Sequence, residues 1–169
     1  LKRQMNLWRE LINRMKQGKS SLKFGLPFLS VSDIAEQFYS EIRLELNHLF
    51  GKIKTPEQEI GAILHEKLIG DAIPISQEEM FREMLEAEEI KIAESFFLMK
   101  FEDVFIIGKP DLIIFKRGIP LLLFEYKFSK YTMKTFQNQR VQAQIYCHIL
   151  NEMGFNTNLL FYGIIIAAR

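Results

Sequence analysis

The chain has 169 residues, about the size of one globular domain, and 48% of them are hydrophobic, including 15 Phe. This composition excludes an intrinsically disordered protein, and no apolar run approaches the roughly 20 residues that span a bilayer. The formal net charge of +1 conceals basic ends and an acidic middle: residues 1–23 carry seven Lys or Arg and one Glu, whereas residues 55–103 carry four Lys or Arg and thirteen Asp or Glu. That distribution suits a phosphate-binding surface beside a cation-binding site, although a solvated acidic helix gives the same pattern.

Four segments in the first half of the chain show apolar side chains at the spacing of amphipathic α-helices. Their predicted bounds are residues 1–17, 30–46, 56–70 and 76–89. The first has one basic face, and we assign residues 1–20 to this N-terminal helix and its end. Ser30 and Ser76 each precede an acidic residue by three positions, which is typical of a helix start. The helix over residues 56–70 carries His65.

The pattern changes at Ile90, where β-branched and aromatic residues begin to dominate. We predict a meander of three strands followed by a helix and a last strand. The predicted bounds are 90–101, 104–115 and 119–128 for the meander, 134–153 for the helix and 158–167 for the last strand. No repeat or Pro/Gly/Ser-rich linker divides the chain. We therefore expect one domain over residues 1–169, with its core in residues 28–169.

Three charged residues stand out on two neighbouring predicted strands: Asp111, Glu125 and Lys127. Glu125 and Lys127 are two residues apart in an apolar strand, so they lie on one face, and the hairpin can bring Asp111 beside them. Two carboxylates beside an ammonium group suit a hard divalent cation, which takes oxygen ligands and polarises a phosphate. The alternative is an ion pair between Glu125 and Lys127, with Asp111 capping a turn after Pro110.

The pair Pro110–Asp111, followed on the next predicted strand by Glu125-Tyr126-Lys127, resembles the motif of the PD-(D/E)xK nuclease superfamily. The order of one helix, three strands, one helix and one strand agrees with this resemblance. It implies an α/β fold with a restriction-endonuclease-like core, in which a central mixed β-sheet of about four strands is flanked by helices, with extra N-terminal helices. It also implies divalent-metal-dependent hydrolysis of DNA phosphodiester bonds, as an exonuclease or endonuclease.

Three further segments resemble the RecB-like and CRISPR-associated exonuclease branch of that superfamily. They are residues 29–43, similar to its entry helix, Gly61–His65, similar to its G-x-x-x-H helix, and Gln142–Leu150, similar to its Q-x-x-x-Y-x-x-x-L helix. The resemblance covers residues 28–167 and implies that Mg²⁺ or Mn²⁺ is bound, with Lys127 as the catalytic lysine. The implied metal ligands are His65, Asp111, Glu125 and the backbone carbonyl of Tyr126.

Two of these assignments have a structural alternative. His65 can be a hydrogen-bonded histidine at a helix edge, although Gly61, one turn earlier, permits the close approach that a ligand needs. Gln142 and Tyr146 share one helix face, where they can contact a phosphate, a base or the catalytic lysine, or else form a core tyrosine beside a solvated glutamine. The basic residues that we expect to contact DNA near the site are Lys130, Lys134 and Arg140.

The chain departs from many members of the branch in its cysteines. Those members bind an iron–sulfur cluster through four cysteines, whereas this chain has Ser40 at the first of these positions and Cys147 as its single cysteine. We therefore expect no iron–sulfur cluster, and a viral, plasmid or repair nuclease fits as well as a CRISPR role. One cysteine also excludes an internal disulfide and favours a reducing, cytoplasmic compartment.

Three classes of function are compatible with these patterns. The first is the metal-dependent nuclease, with DNA as its partner, as single strands or duplex ends, and no membrane. The second is a catalytically inactive nucleic-acid-binding module that keeps the nuclease fold, and the intact set of Asp111, Glu125 and Lys127 argues against it. The third is an assembly domain whose N-terminal helix docks a second copy of the chain or another protein.

Overall fold

In the computed structural model of the protein, residues 2–20, 22–52, 59, 73–128 and 136–167 are described. His65 and nearly all of the helix predicted over residues 56–70 lie outside this part of the chain. Lys130 and Lys134 also lie outside it. The remaining predicted elements and site residues can be compared directly with the structure.

Five α-helices and one short 3-10 turn occur in the described ranges. They are α1 (Lys2–Gln17), the 3-10 turn (Lys23–Gly25), α2 (Val31–Gln37), α3 (Glu41–Phe50), α4 (Gln77–Glu86) and α5 (Gln137–Glu152). Helices α1, α4 and α5 begin and end within three residues of their predicted bounds. Within these ranges, no helix is long and apolar enough to cross a membrane.

Serine side chains begin three of the helices. The Oγ atoms of Ser30, Ser40 and Ser76 each accept a hydrogen bond from the backbone N–H three residues later. Each bond satisfies one of the amides that a first helical turn leaves without an intrahelical partner. Ser40 has an extended backbone and starts α3 after α2 has ended at Gln37. The prediction of one continuous helix over residues 30–46 is therefore wrong, because a second cap interrupts it.

Seven strands in the described ranges form two mixed sheets. They are β1 (Leu29–Ser30), β2 (Ile90–Ala93), β3 (Phe97–Phe101), β4 (Val104–Gly108), β5 (Leu112–Lys116), β6 (Ile119–Phe128) and β7 (Phe161–Ala167). The three-stranded sheet has the order β1-β4-β3 and the four-stranded sheet has the order β2-β5-β6-β7. The pairs β1–β4 and β6–β7 are parallel and the other pairs are antiparallel. The predicted mixed α/β fold is confirmed, with a second sheet that was not predicted.

Two irregular segments divide the strands predicted over residues 90–101 and 104–115. Glu94, just after β2, has a φ of 48°, which is a left-handed conformation. Pro110, shortly after β4, has no N–H to donate to a strand ladder. The segments on either side of each break belong to different sheets, so the predicted meander is wrong. Each of its first two strands contributes one half to each sheet.

In the described ranges, two clusters of buried apolar side chains hold α1, α2, α4 and α5 against the sheets. The larger cluster joins α2, α4 and α5 to β2, β3, β5 and β6. In the smaller cluster, Leu11 of α1 packs with Leu98, Phe105 and Ile107 of β3 and β4. Full burial of one such side chain contributes about 1.5–3 kcal/mol relative to leaving it exposed. This packing fixes α5 over the face of β6 that carries Glu125.

Candidate active site

Asp111 lies between Pro110 and the start of β5, where it is attached to the neighbouring strand. The β5–β6 ladder ends at the pair Leu112–Phe124. Two residues further along β6, the N–H of Tyr126 donates a hydrogen bond of 2.7 Å to Oδ2 of Asp111. The side chain of Asp111 thus takes the place of a further strand residue at this edge of β6.

Glu125 and Lys127 project from the same face of β6, as their spacing predicts. The Glu125 side chain is only 2% exposed and that of Lys127 is 34% exposed, and Lys127 Nζ donates a hydrogen bond of 3.0 Å to Glu125 Oε2. The ion pair that the structural alternative requires is therefore present. It leaves the ammonium group within reach of solvent while the carboxylate is buried.

The buried carboxylate of Glu125 is only partly satisfied. Among the described residues, the side-chain donors Lys127 and Gln142 both reach Oε2, and Oε1 is buried without a hydrogen-bond partner. Burial raises the pKa of Glu125; the charge of Lys127 opposes this rise and the charge of Asp111 adds to it. A buried acceptor without a donor costs about 1–3 kcal/mol. The environment of Glu125 thus favours any cation that could approach Oε1.

The backbone carbonyl oxygen of Tyr126 lies on the edge of β6 that faces Asp111. In a β-strand the N–H and C=O groups of one residue point to the same edge. Since the Tyr126 N–H points to Asp111, its carbonyl oxygen points to the same side, away from β7. Two carboxylates and a carbonyl around one strand end are the oxygen ligands that a hard divalent cation takes. Within the described ranges, no group of three or more His, Cys, Asp or Glu side chains is placed to hold a metal ion.

Helix α5 supplies the polar residues that hold Glu125. Gln142 Nε2 lies 2.9 Å from Glu125 Oε2 and 3.3 Å from Tyr146 Oη. Gln142 is 9% exposed and Tyr146 is 2% exposed, so the glutamine is buried rather than solvated. Burial, and next the charge of Glu125, raise the pKa of Tyr146. The phenol therefore stays protonated and can hold the position of the Gln142 amide.

Gly108, at the end of β4, allows α5 to approach this closely. A Cβ atom at that position would lie 2.5 Å from Cε1 of Tyr146 and 3.0 Å from Cγ2 of Val31. Those distances are shorter than van der Waals contact, so a larger residue would push α5 away from the sheet. From the sequence alone this residue was assigned no role, although its position three residues before Asp111 is a usable signal.

Tyr162 is a second residue that sequence reasoning missed. It pairs with Leu123 across the parallel β6–β7 ladder and therefore lies on the Glu125 face. Its hydroxyl is buried, and no hydrogen-bond partner for it lies in the part of the chain that the structure describes. Burial raises the pKa of Tyr162, and the charges of Glu125 and Asp111 raise it further. A polar side chain in the last apolar strand was the available signal, but the strand register was needed to place it.

Arg140 does not lie with the residues around Glu125. It is exposed on α5 and stands two residues before Gln142, which is roughly 200° around a helix axis. It lies on the opposite side of the helix from the amide that contacts Glu125. The described residues that the fold brings together are Asp111, Glu125, Tyr126, Lys127, Gln142 and Tyr146.

Comparison with known proteins finds matches among solved structures. No family profile and no curated protein sequence matches the chain. Among solved structures, the crystal structure of SSO0001 is similar with a TM-score of 0.45 and 18% sequence identity, over 94% of this chain and 70% of that chain. At this TM-score and identity, the similarity establishes neither a family nor a function.

Proposed function

We propose that the chain is a divalent-metal-dependent nuclease that hydrolyses DNA phosphodiester bonds within a restriction-endonuclease-like core. The observation that carries the proposal is the Glu125 carboxylate, which is 2% exposed and has one oxygen without a hydrogen-bond donor among the described residues. The charge of Asp111 acts on it across the same strand end. A carboxylate whose charge is disfavoured by burial and by a neighbouring acid is stabilised when a cation binds beside it.

The cation would be held by oxygen atoms from two strands. Asp111, Glu125 and the carbonyl of Tyr126 would bind Mg²⁺ or Mn²⁺, and the sequence resemblance adds His65, which lies outside the described residues. When bound, the ion supplies Lewis-acid polarisation of the scissile phosphate and a lowered pKa for a coordinated water. Asp111 keeps its place through the Tyr126 N–H, so binding requires little rearrangement of the strands.

Lys127 is the residue of the cluster best placed to meet the phosphate. Its Nζ contacts Glu125, and one third of its side chain is exposed, so the ammonium group can face a bound substrate. There it would donate hydrogen bonds to a phosphate oxygen and stabilise the negative charge that develops during hydrolysis. Gln142 and Tyr146 act one step further away, as positioning residues that fix the Glu125 rotamer.

Nuclease assays on defined DNA substrates test the proposal. The purified chain is incubated with circular or linear DNA, single-stranded or duplex, in Mg²⁺, Mn²⁺ or a chelator. We expect cutting only with a divalent cation, and no cutting by Asp111→Ala or Glu125→Ala. Glu86→Ala, an exposed acid on α4, is the matched control and should cut normally.

Two outcomes would contradict the proposal. Cutting in the presence of chelator, or cutting by Asp111→Ala, would show that the carboxylate pair does not perform the chemistry. DNA binding without cutting under every metal condition would instead support the inactive nucleic-acid-binding module.

A further inference from the structure

Two surface connections meet beside Asp111. The β2–β3 connection contains Glu94, whose N–H donates a hydrogen bond of 3.2 Å to the backbone oxygen of Asp111. The β4–β5 connection contains Lys109, whose Nζ lies 3.2 Å from the Glu94 carboxylate. The first connection is thus attached to the backbone that carries the candidate catalytic acid.

This junction presents an aromatic ring to solvent. Phe96 is 50% exposed, and Lys109 Nζ lies 5.7 Å from its ring centroid. Single exposed apolar side chains are common on protein surfaces. Phe96 combines exposure with a neighbouring cation, and Glu94, two residues earlier, holds a left-handed φ of 48° that side-chain-bearing residues rarely adopt. The Glu94 conformation and its contacts with Asp111 and Lys109 hold the connection that carries Phe96 beside the candidate site.

We propose that Phe96 and Lys109 form a nucleotide platform, on which an unpaired DNA base stacks on the ring while its phosphate contacts the ammonium group. Every base has a π-face, so aromatic stacking tolerates any sequence, and a nearby cation follows the backbone. Bases inside a duplex have their faces covered by neighbouring base pairs, so the platform selects unpaired DNA. Lys109 is two residues before Asp111, and the Glu94 N–H attaches the connection that carries Phe96 to the Asp111 backbone, so a stacked nucleotide would lie next to the candidate cutting site.

The inference rests on the proposed nuclease function but is tested by binding alone. Fluorescein-labelled single-stranded oligothymidine and a duplex of equal length are titrated with protein in chelator, and fluorescence anisotropy is measured. Phe96→Ala should weaken single-strand binding by about 5- to 100-fold and duplex binding less than twofold. Phe96→Trp should bind single strands at least as tightly as the wild type, because the larger ring also stacks.

Phe101 provides the matched control. It is 57% exposed and lies at the other end of β3 from Phe96, in the turn-side pair with Val104. Phe101→Ala should leave single-strand binding unchanged. Lys109→Gln should reduce the slope of log affinity against log salt for single-strand binding by the amount expected for about one phosphate contact. Melting curves of all variants exclude loss of fold as the cause of weaker binding.

Three results would overturn the platform: no effect of Phe96→Ala, an equal effect of Phe101→Ala, or equal losses for single strands and duplex. These results are separable from failure of the nuclease proposal. Binding that depends on Phe96 without any cutting would leave the platform standing and contradict the nuclease. Metal-dependent cutting together with unchanged binding by Phe96→Ala would contradict the platform and leave the nuclease proposal standing.

Discussion

Glu125 combines burial with incomplete hydrogen bonding, and the effect of pH on stability follows from that combination. The folded state holds the pKa of Glu125 above its usual value of 4.5 because the carboxylate is buried. Above pH 4.5 the folded state therefore binds more protons at this position than the unfolded state does. Stability from Glu125 is highest at low pH and is lost as the pH rises through the folded pKa.

Replacing Glu125 by Gln should stabilise the metal-free protein at neutral pH. The variant keeps an oxygen that can accept from Gln142 and removes the buried charge, so we expect a gain on the order of 1 kcal/mol, or about 2–4 °C in Tm. Melting in chelator between pH 4 and pH 8 should show a flatter profile for the variant. Glu86→Gln is the control, and a lower Tm for Glu125→Gln at pH 7 would contradict this interpretation.

Lys127 and His65 should respond differently to replacement. Lys127→Ala should retain Mn²⁺ affinity and lower kcat by about 10²–10³-fold, because one donor to the charged phosphate is removed. His65→Ala should weaken Mn²⁺ binding at least tenfold, since imidazole is a good ligand for this ion. Calorimetric titration of Mn²⁺ into both variants decides the roles. Unchanged Mn²⁺ affinity in His65→Ala would make that histidine a structural residue.

At the scale of elements, the close approach of α5 to β4 depends on Gly108. Gly108→Ala places a Cβ 2.5 Å from the Tyr146 ring, and overpacking of this kind costs about 1–3 kcal/mol. We expect Tm to fall by several degrees and the Gln142–Glu125 contact to be disturbed. A double-mutant cycle with Tyr146→Ala should show a destabilisation smaller than the sum of the two single changes. Strict additivity would show that the two residues do not press on each other.

The elements that the sequence predicts well are those whose signals are local. Helices α1, α4 and α5 have periodic apolar faces, and the Ser76 Oγ supplies the cap that its spacing indicates. The spacing of Glu125 and Lys127 fixes their common face without any knowledge of the fold. Each of these conclusions depends only on residues that are close together in the sequence.

The features that sequence reasoning missed depend on pairing between distant segments. The two-residue strand β1 pairs with Ile106 and Ile107 of β4, more than 70 residues away in sequence. The division into two sheets follows from such pairing, and so does the position of Tyr162 beside Leu123. The helix break at Ser40 is different, because it depends on a local cap. It was missed because the apolar periodicity continues across Ser40 and indicated one helix.

At the scale of the whole molecule, the uneven charge distribution predicts salt-sensitive DNA binding. The exposed cations of α1 include Lys2, Arg9 and Lys16, whereas Arg14 is paired with Asp103 and Glu10. Each phosphate contact should weaken duplex binding about 3.5-fold when salt is raised fourfold, so three contacts correspond to roughly 40-fold. Anisotropy titrations at 50 and 200 mM salt measure this.

Charge removal locates the contacts that produce the salt dependence. Replacing Lys130 or Lys134 by Gln should reduce the slope of log affinity against log salt by about one contact each, and Arg140→Gln, on the opposite side of α5 from Gln142, should reduce it less. The same slope is measured for Lys19→Gln, at the end of the N-terminal segment, and compared with the slopes of these variants. Binding that does not change between the two salt concentrations would show that phosphate contacts contribute little.

The hydrogen bond between Asp111 and the Tyr126 N–H has an evolutionary consequence. The carboxylate at position 111 extends a strand ladder, so under the proposed nuclease function it would stay useful to the fold even in a lineage without that activity. Glu125 has the opposite effect on the fold, because without a cation its buried charge destabilises the folded state. A descendant that loses its chemistry should therefore retain Asp or Asn at position 111 while position 125 drifts toward an apolar side chain. In such relatives the acid at position 111 would be kept for its structural role, and the acid at position 125 would be lost.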